Sequence, residues 1–389
     1  MKTPSVPPKG GTLHFWDAAL FMTVKDVQRI VENWAPKEIA WERDNPGLQV
    51  GSPESQVKGI YVCLDVTEAA IREALRRRAD LIISHHPLLF RPVRSVDLRE
   101  KAGRCVSRLL QSQVSLVSAH TNLDFTQGGT SFALATRLGL NNVDFLLKSY
   151  RLKKKVVTFV PASHLDRVAD AMGRAGAGRI GNYESCSFRT DGVGTFRGNA
   201  ESRPAVGKKQ HLEHVPEVRL EMLVDQSMMS DVVGAMLRSH PYEEPAYDIY
   251  PLENATQEYG MGVLGELSSP MSVQQFVRHV RKSLNTGIVR FARGPSNRIR
   301  RVAACGGSGS ELTDEAVRQN ADAFVTADVK YHSFHEAADR IMLIDAGHYE
   351  TERPVLESLA MKLKEAFARV GSSIPVHVAR TSTNPIVYN

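Results

Sequence analysis

Thirteen histidines occur in this chain, and six of them crowd into four short segments. These are His85-His86-Pro87, the run Ala119-His120-Thr121-Asn122-Leu123-Asp124, Tyr331-His332 with His335, and Gly347-His348-Tyr349-Glu350-Thr351-Glu352. Imidazole and carboxylate are ligands that suit borderline divalent cations such as zinc, manganese or iron. Pro87 restricts His86 to an extended or turn conformation, so two adjacent histidines could serve one site if the chain turns there. Asp124 follows His120 by four residues, and a carboxylate with two oxygens can bridge two cations. Read alone, the same Asp124 is ordinary turn chemistry ahead of Gln127-Gly128-Gly129. His348 and Glu352 are also four apart, the spacing that puts both on one side of a helical turn. A carboxylate favoured by the helix dipole would explain Glu352 without a metal, but not His348. Together, His85, His86, Asp124, His348 and Glu352 make a set of three imidazoles and two carboxylates, with His120, His332 and His335 as groups that could move protons. No thiolate takes part, which disfavours a closed structural zinc site.

Elements distant in sequence must bring these residues together. Residues 57–147 alternate apolar runs with amphipathic stretches: VKGIYVCLD, then a helix capped by Thr67, LIIS (81–84), a helix over 97–112, SLVSAH (115–120) and a helix from Gly128 to Leu140. This rhythm predicts an α/β domain with a mostly parallel or mixed sheet and helices on both faces. It resumes after 255 with GMGVLGELS, a helix opened by Ser272, RVAACGG (301–307), ADAFVTAD and RIMLIDAGH. Three of the four histidine segments begin where a strand is predicted to end, and ligands of open α/β sheets bind at the carboxyl ends of strands.

Between the halves, residues 151–254 follow a different order, β-α-β-β-α-β, the ferredoxin-like pattern. The expected division is therefore an extension over 1–22, a discontinuous α/β domain of 23–150 plus 255–389, and an inserted α+β domain of 151–254. The loop CGGSG (305–309) could hold an anion on backbone amides, but a tight turn is the plainer reading.

The chain has 389 residues, 42% hydrophobic and 24% charged, with a formal net charge of +6. That surplus is too mild to be a nucleic-acid signature, and runs such as Arg76-Arg77-Arg78 read as solvated faces. Apolar stretches fall far short of the ~20 residues a membrane span needs. Four scattered cysteines without CxxC spacing fit a reducing compartment, and a cytoplasmic location is expected.

The motifs LDVT (64–67), SHHPLLF (84–90), SAHTNLD (118–124), CGGSG (305–309), TADVKYH (326–332) and GHYETE (347–352) resemble those of the GTP cyclohydrolase 1 type 2 homologues, also called the Ngg-one-interacting-factor-three-like family. The resemblance covers about residues 22–389 and implies two divalent metal ions held by His85, His86, Asp124, His348 and Glu352. RIGNYESCSF (179–188), GVGTFRG (192–198) and SHPYEEPAYDIYPL (239–252) are similar to the trimer-forming, PII-like domain of longer members. It further implies a toroidal homohexamer with metal sites facing an internal cavity, a nucleotide or small-molecule ligand, and hydrolysis. The alternative is a non-catalytic metal-binding assembly whose insert senses a ligand. Ala327 in TADVKYH departs from the residue usual there.

Overall fold

The computed structural model describes residues 22–149, 153–254 and 258–387. The extension expected over 1–22 lies outside the described residues except for Met22, which is buried and pairs with Val57 in a two-stranded ribbon.

The α/β part is built on two sheets rather than one. The first has five strands in the order Val376–Val378, Ile60–Cys63, Leu81–Ser84, Ser115–Ser118 and Gly47–Val50, parallel except for the last. Its short apolar strands are buried on both faces. Ile60, Val62, Leu81 and Ile83 pack on one side against the helices Val24–Trp34 and Val355–Arg369. Tyr61, Cys63, Ile82 and Leu116 pack on the other against Glu68–Arg76 and Lys101–Gln111. Side chains alternate across a strand, so runs without polar interruption mean both faces are covered.

The second sheet has six strands: Arg290–Ala292, Met342–Asp345, Ala323–Ala327, Arg298–Ser308, Gly260–Ser272 and Leu140–Lys148. The three central members from Met342 to Ser308 run parallel, and the outer pairings are antiparallel. Val302, Val325 and Ile344 face the helices Thr130–Arg137 and Val273–Leu284, whereas Ala303, Phe324 and Leu343 face the opposite layer. Ser272 and Gln275 form a capping box at the start of Val273–Leu284, and Asn285 ends it in the left-handed conformation (φ 52°).

The helices Thr130–Arg137 and Val355–Arg369 meet between the sheets. This brings strand ends from the two halves of the chain into one crevice.

Residues 153–254 make their own four-stranded antiparallel sheet. Its strands, in chain order, are Lys153–Val160, Ser187–Arg197, Leu212–Asp225 and Tyr247–Pro251, and they lie side by side as fourth, first, third, second. The helices Leu165–Arg174 and Met229–Ser239 cover one face through Val168, Met172, Val232 and Met236. This is the β-α-β-β-α-β arrangement the sequence pattern predicts.

Candidate metal centre

His85 and His86 leave the end of Leu81–Ser84, and their amides continue the ladder onto the carbonyls of Cys63 and Leu64 (both 2.9 Å). Ser84 Oγ then donates to the His86 carbonyl at 2.8 Å, which turns the chain. The two rings, 5.0 Å apart between centroids, consequently share one site although their residues are adjacent. Asp124 ends the short helix Thr121–Asp124 just beyond Ser115–Ser118. His348 and Glu352 bound the helix His348–Glu352 that follows Met342–Asp345 across Gly347 (φ 90°).

All five side chains converge. Glu352 is central: Oε1 lies 3.0 Å from His348 Nε2 and 3.7 Å from His85 Nε2, and Oε2 lies 3.0 Å from His86 Nε2. Asp124 Oδ1 is 3.5 Å from His85 Nε2. His85, His86 and Glu352 alone place three ligand atoms within 4.8 Å of one another.

The reverse side of each ring is pinned. His85 Nδ1 meets the Ala119 carbonyl at 2.9 Å, His86 Nδ1 meets Asp65 at 2.9 Å, and His348 Nδ1 meets Asp328 at 2.6 Å. A carbonyl or carboxylate accepting at Nδ1 fixes the ring orientation and, once the imidazole loses its second proton, leaves the Nε2 lone pair pointing inward, the usual outer support of a metal-binding histidine. A further test of fit is polar satisfaction. His85 Nε2 and Asp124 Oδ1 are buried without a hydrogen-bond partner, and Glu352 Oε2 is buried with only the His86 ring at ion-pair distance. Buried polar atoms left this way are costly, and here they face one another. Nitrogen and oxygen donors in this set suit a divalent cation.

Electrostatics set the two carboxylates apart. Burial raises the Asp124 carboxyl, and the nearby Glu352 charge adds to it despite His85. Burial opposes the charge on Glu352 as well, but His85, His348 and His86 outweigh it and hold the group well below the usual carboxylate range. Burial would lower His86 and His348, yet their carboxylate neighbours push them up to about 10 and about 9. In the metal-free protein the cluster therefore carries protons that a cation would displace.

Gly307 explains the CGGSG run. Its φ is +65°, and a Cβ there would stand 2.2 Å from Glu352 Oε1 and 3.4 Å from His348 Cε1. Thr351 Oγ1 accepts from its amide at 3.0 Å and Thr326 Oγ1 donates to its carbonyl at 3.0 Å. The segment is a tightly packed backing to the helix His348–Glu352.

His120 joins the cluster, with ring centroids 5.4 Å from His85 and 5.6 Å from His86. Asp44 holds its Nδ1 at 2.8 Å and accepts from the Thr121 amide at 3.0 Å with its other oxygen. His332 and His335 lie exposed on the helix Tyr331–Ala337, packed against the Tyr331 ring. Among the described residues, neither makes a hydrogen bond or ion pair with the cluster. Sequence reasoning missed Asp44, Asp65 and Asp328 as supports. Asp65 and Asp328 follow strand ends within LDVT and TADVKYH, so the rule that found the histidines could have found them. Asp44 lies in a stretch with no pattern.

The family profile described as Duf34/NIF3 (NGG1p interacting factor 3) matches residues 22–385. The chain belongs to this family. Among its relatives, a protein named GTP cyclohydrolase 1 type 2 homolog from Halalkalibacterium halodurans is 37% identical over 93% of this chain and 98% of its own length. One of the same name from Bacillus subtilis is 36% identical over 94% and 98%. A solved Bacillus cereus structure, titled as a protein related to NIF3, superposes with a TM-score of 0.76 at 34% identity and covers 95% of this chain and 99% of its own. The α/β fold and the resemblance read from the motifs agree with these matches. No helix among the described residues is long and apolar enough to cross a membrane.

Proposed function

We propose that the chain is a metal-dependent hydrolase with two divalent cations, zinc, manganese or iron, held by His85, His86, Asp124, His348 and Glu352. The convergence of these five side chains, with the buried His85 Nε2 and Asp124 Oδ1 unpartnered and facing inward, carries the reading. Bound there, the cations would supply Lewis-acid polarisation and a water acidic enough to ionise near neutral pH. The chain's residues supply the rest. Ala119, Asp65 and Asp328 keep the rings oriented. His120, its Nδ1 held by Asp44, is placed to take and return a proton at Nε2. The name borne by the relatives points to a nucleotide such as GTP as substrate, and we place the reaction in the cytoplasm, as the four scattered cysteines suggest.

Metal analysis of the purified protein, with a GTP turnover assay whose product is identified by mass spectrometry, tests this. About two equivalents of metal per chain are expected, and fewer in Asp124→Ala together with loss of turnover. Equal metal content in the two proteins removes the mechanism.

A second reading, a metal-binding assembly whose insert senses a ligand, is favoured by one observation. The insert contains a cavity of about 580 Å³ lined by Phe159, Phe196, Tyr242, Glu217 and Arg219, among others. Metal-loaded protein that turns over nothing, yet changes size or metal affinity with a small molecule, would replace the hydrolase by this regulator. In either reading the insert is the assembly module of a trimer-based hexamer. Phe188, Val193, Leu212 and Ile249 stand exposed on its strands, available for such contacts.

A further inference from the structure

Residues 379–387 form no helix or strand, yet several of them are anchored. The Ala379 amide donates to the Val62 carbonyl at 2.8 Å. The amides of Arg380 and Thr381 donate to the Glu73 carboxylate at 3.3 and 3.0 Å, and the Tyr61 hydroxyl donates to the same group at 2.9 Å. Glu73 and Tyr61 are buried. This clamp fixes where the next residues fall, in a region of chain that is ordinarily loose.

Two of those next residues end on groups that support the metal ligands. Thr383 Oγ1 donates to Asp65 Oδ2 at 2.6 Å, while Asp65 Oδ1 meets His86 Nδ1 at 2.9 Å. Both oxygens of Asp65 are therefore committed, one to the ligand ring and one to a residue 318 positions away in sequence. Asn384 Nδ2 donates to Glu350 Oε1 at 3.0 Å, and Glu350 lies on the five-residue helix that carries both His348 and Glu352. Asn384 Oδ1 in turn accepts from the Ile386 amide at 3.0 Å, which sets the orientation of its amide group.

We propose that Thr383 and Asn384 are positioning residues of the metal centre. Thr383 holds the His86 ring through Asp65, and Asn384 holds the His348–Glu352 helix through Glu350. The proposal rests on the reading of this cluster as a metal site, not on its being catalytic. Without the Thr383 hydroxyl, one oxygen of Asp65 loses its donor and the carboxylate is free to turn, so the His86 ring loses its fixed orientation. Changing such outer supports costs roughly 10–100-fold in metal affinity.

The test is a zinc titration of the full-length, metal-free protein against a chromophoric chelator. Thr383→Val keeps the shape and removes the donor, and it is expected to weaken zinc binding about 10–100-fold. Thr383→Ser restores the donor and should return affinity close to that of the unmodified chain. Asn384→Ala is expected to weaken binding in the same direction. The Tm of metal-free Thr383→Val should stay within about 2 °C of the unmodified chain. Affinity unchanged in Thr383→Val, no recovery in Thr383→Ser, or an affinity loss matched by a fall in metal-free Tm would each overturn the proposal. An unmodified chain that takes up no zinc overturns the metal-centre reading and this proposal with it. One that binds zinc with the expected pattern but hydrolyses nothing supports the proposal while the hydrolase reading fails.

Discussion

At the scale of single residues, the protons on the imidazoles decide how the centre behaves. His86 and His348 are raised to about 10 and about 9 by their carboxylate neighbours, against burial. Metal uptake at pH 7 must then release protons, and affinity should climb as pH rises. Calorimetry in two buffers of different ionisation enthalpy measures the number released. The same shifts fix the sign of a stability effect in the metal-free protein. Groups whose folded pKa is raised stabilise fully below the unfolded value, near 6.5, and lose that contribution as pH rises through about 9–10. The metal-free Tm should accordingly fall between pH 6.5 and 10. His120 is separable from the ligands. Asp44→Asn is expected to leave metal content unchanged and to lower kcat about 10²–10⁴-fold, as read from metal analysis beside turnover. The side chains that converge were legible as candidates because imidazoles and carboxylates at strand ends are few and chemically specific. Asp44 and Thr383 were not, since a lone aspartate or threonine in a loop looks the same whether or not it supports a ring.

At the scale of elements, the strand Arg298–Ser308 matters as much as the helix it supports. Gly307→Ala would force a Cβ against Glu352 Oε1 at a φ of +65°. Metal retention should drop sharply while the remainder of the sheet survives, which metal analysis and circular dichroism can separate. Ser272→Ala removes a capping box remote from the cluster and should cost about 1 kcal/mol in thermal melting, with metal content unaffected. Most elements could be placed from period and capping signals. Thr67 caps Glu68–Arg76 by accepting the Ala70 amide at 3.1 Å, as its position in the pattern suggested. Strand partnership could not be placed. Nothing local in Val376–Val378 says that it returns to Ile60–Cys63, and apolar runs alone do not separate two sheets from one.

At the scale of the whole molecule, the inserted residues form a separate sheet whose exposed apolar side chains require a partner surface under the assembly proposed above. Phe188→Asp combined with Val193→Asp should reduce the oligomer to smaller species in light scattering and leave metal content per chain unchanged. Unaltered size would place the contacts elsewhere.

The proposed ligand set also has a temporal meaning. His85, His86 and Asp124 emerge early in synthesis, whereas His348 and Glu352 emerge only after the second sheet has been made. A nascent polypeptide arrested before position 348 carries two imidazoles and one carboxylate of the proposed ligand set and none of the helix that closes it. If the cluster holds cations as proposed, loading waits until the helix His348–Glu352 has been translated.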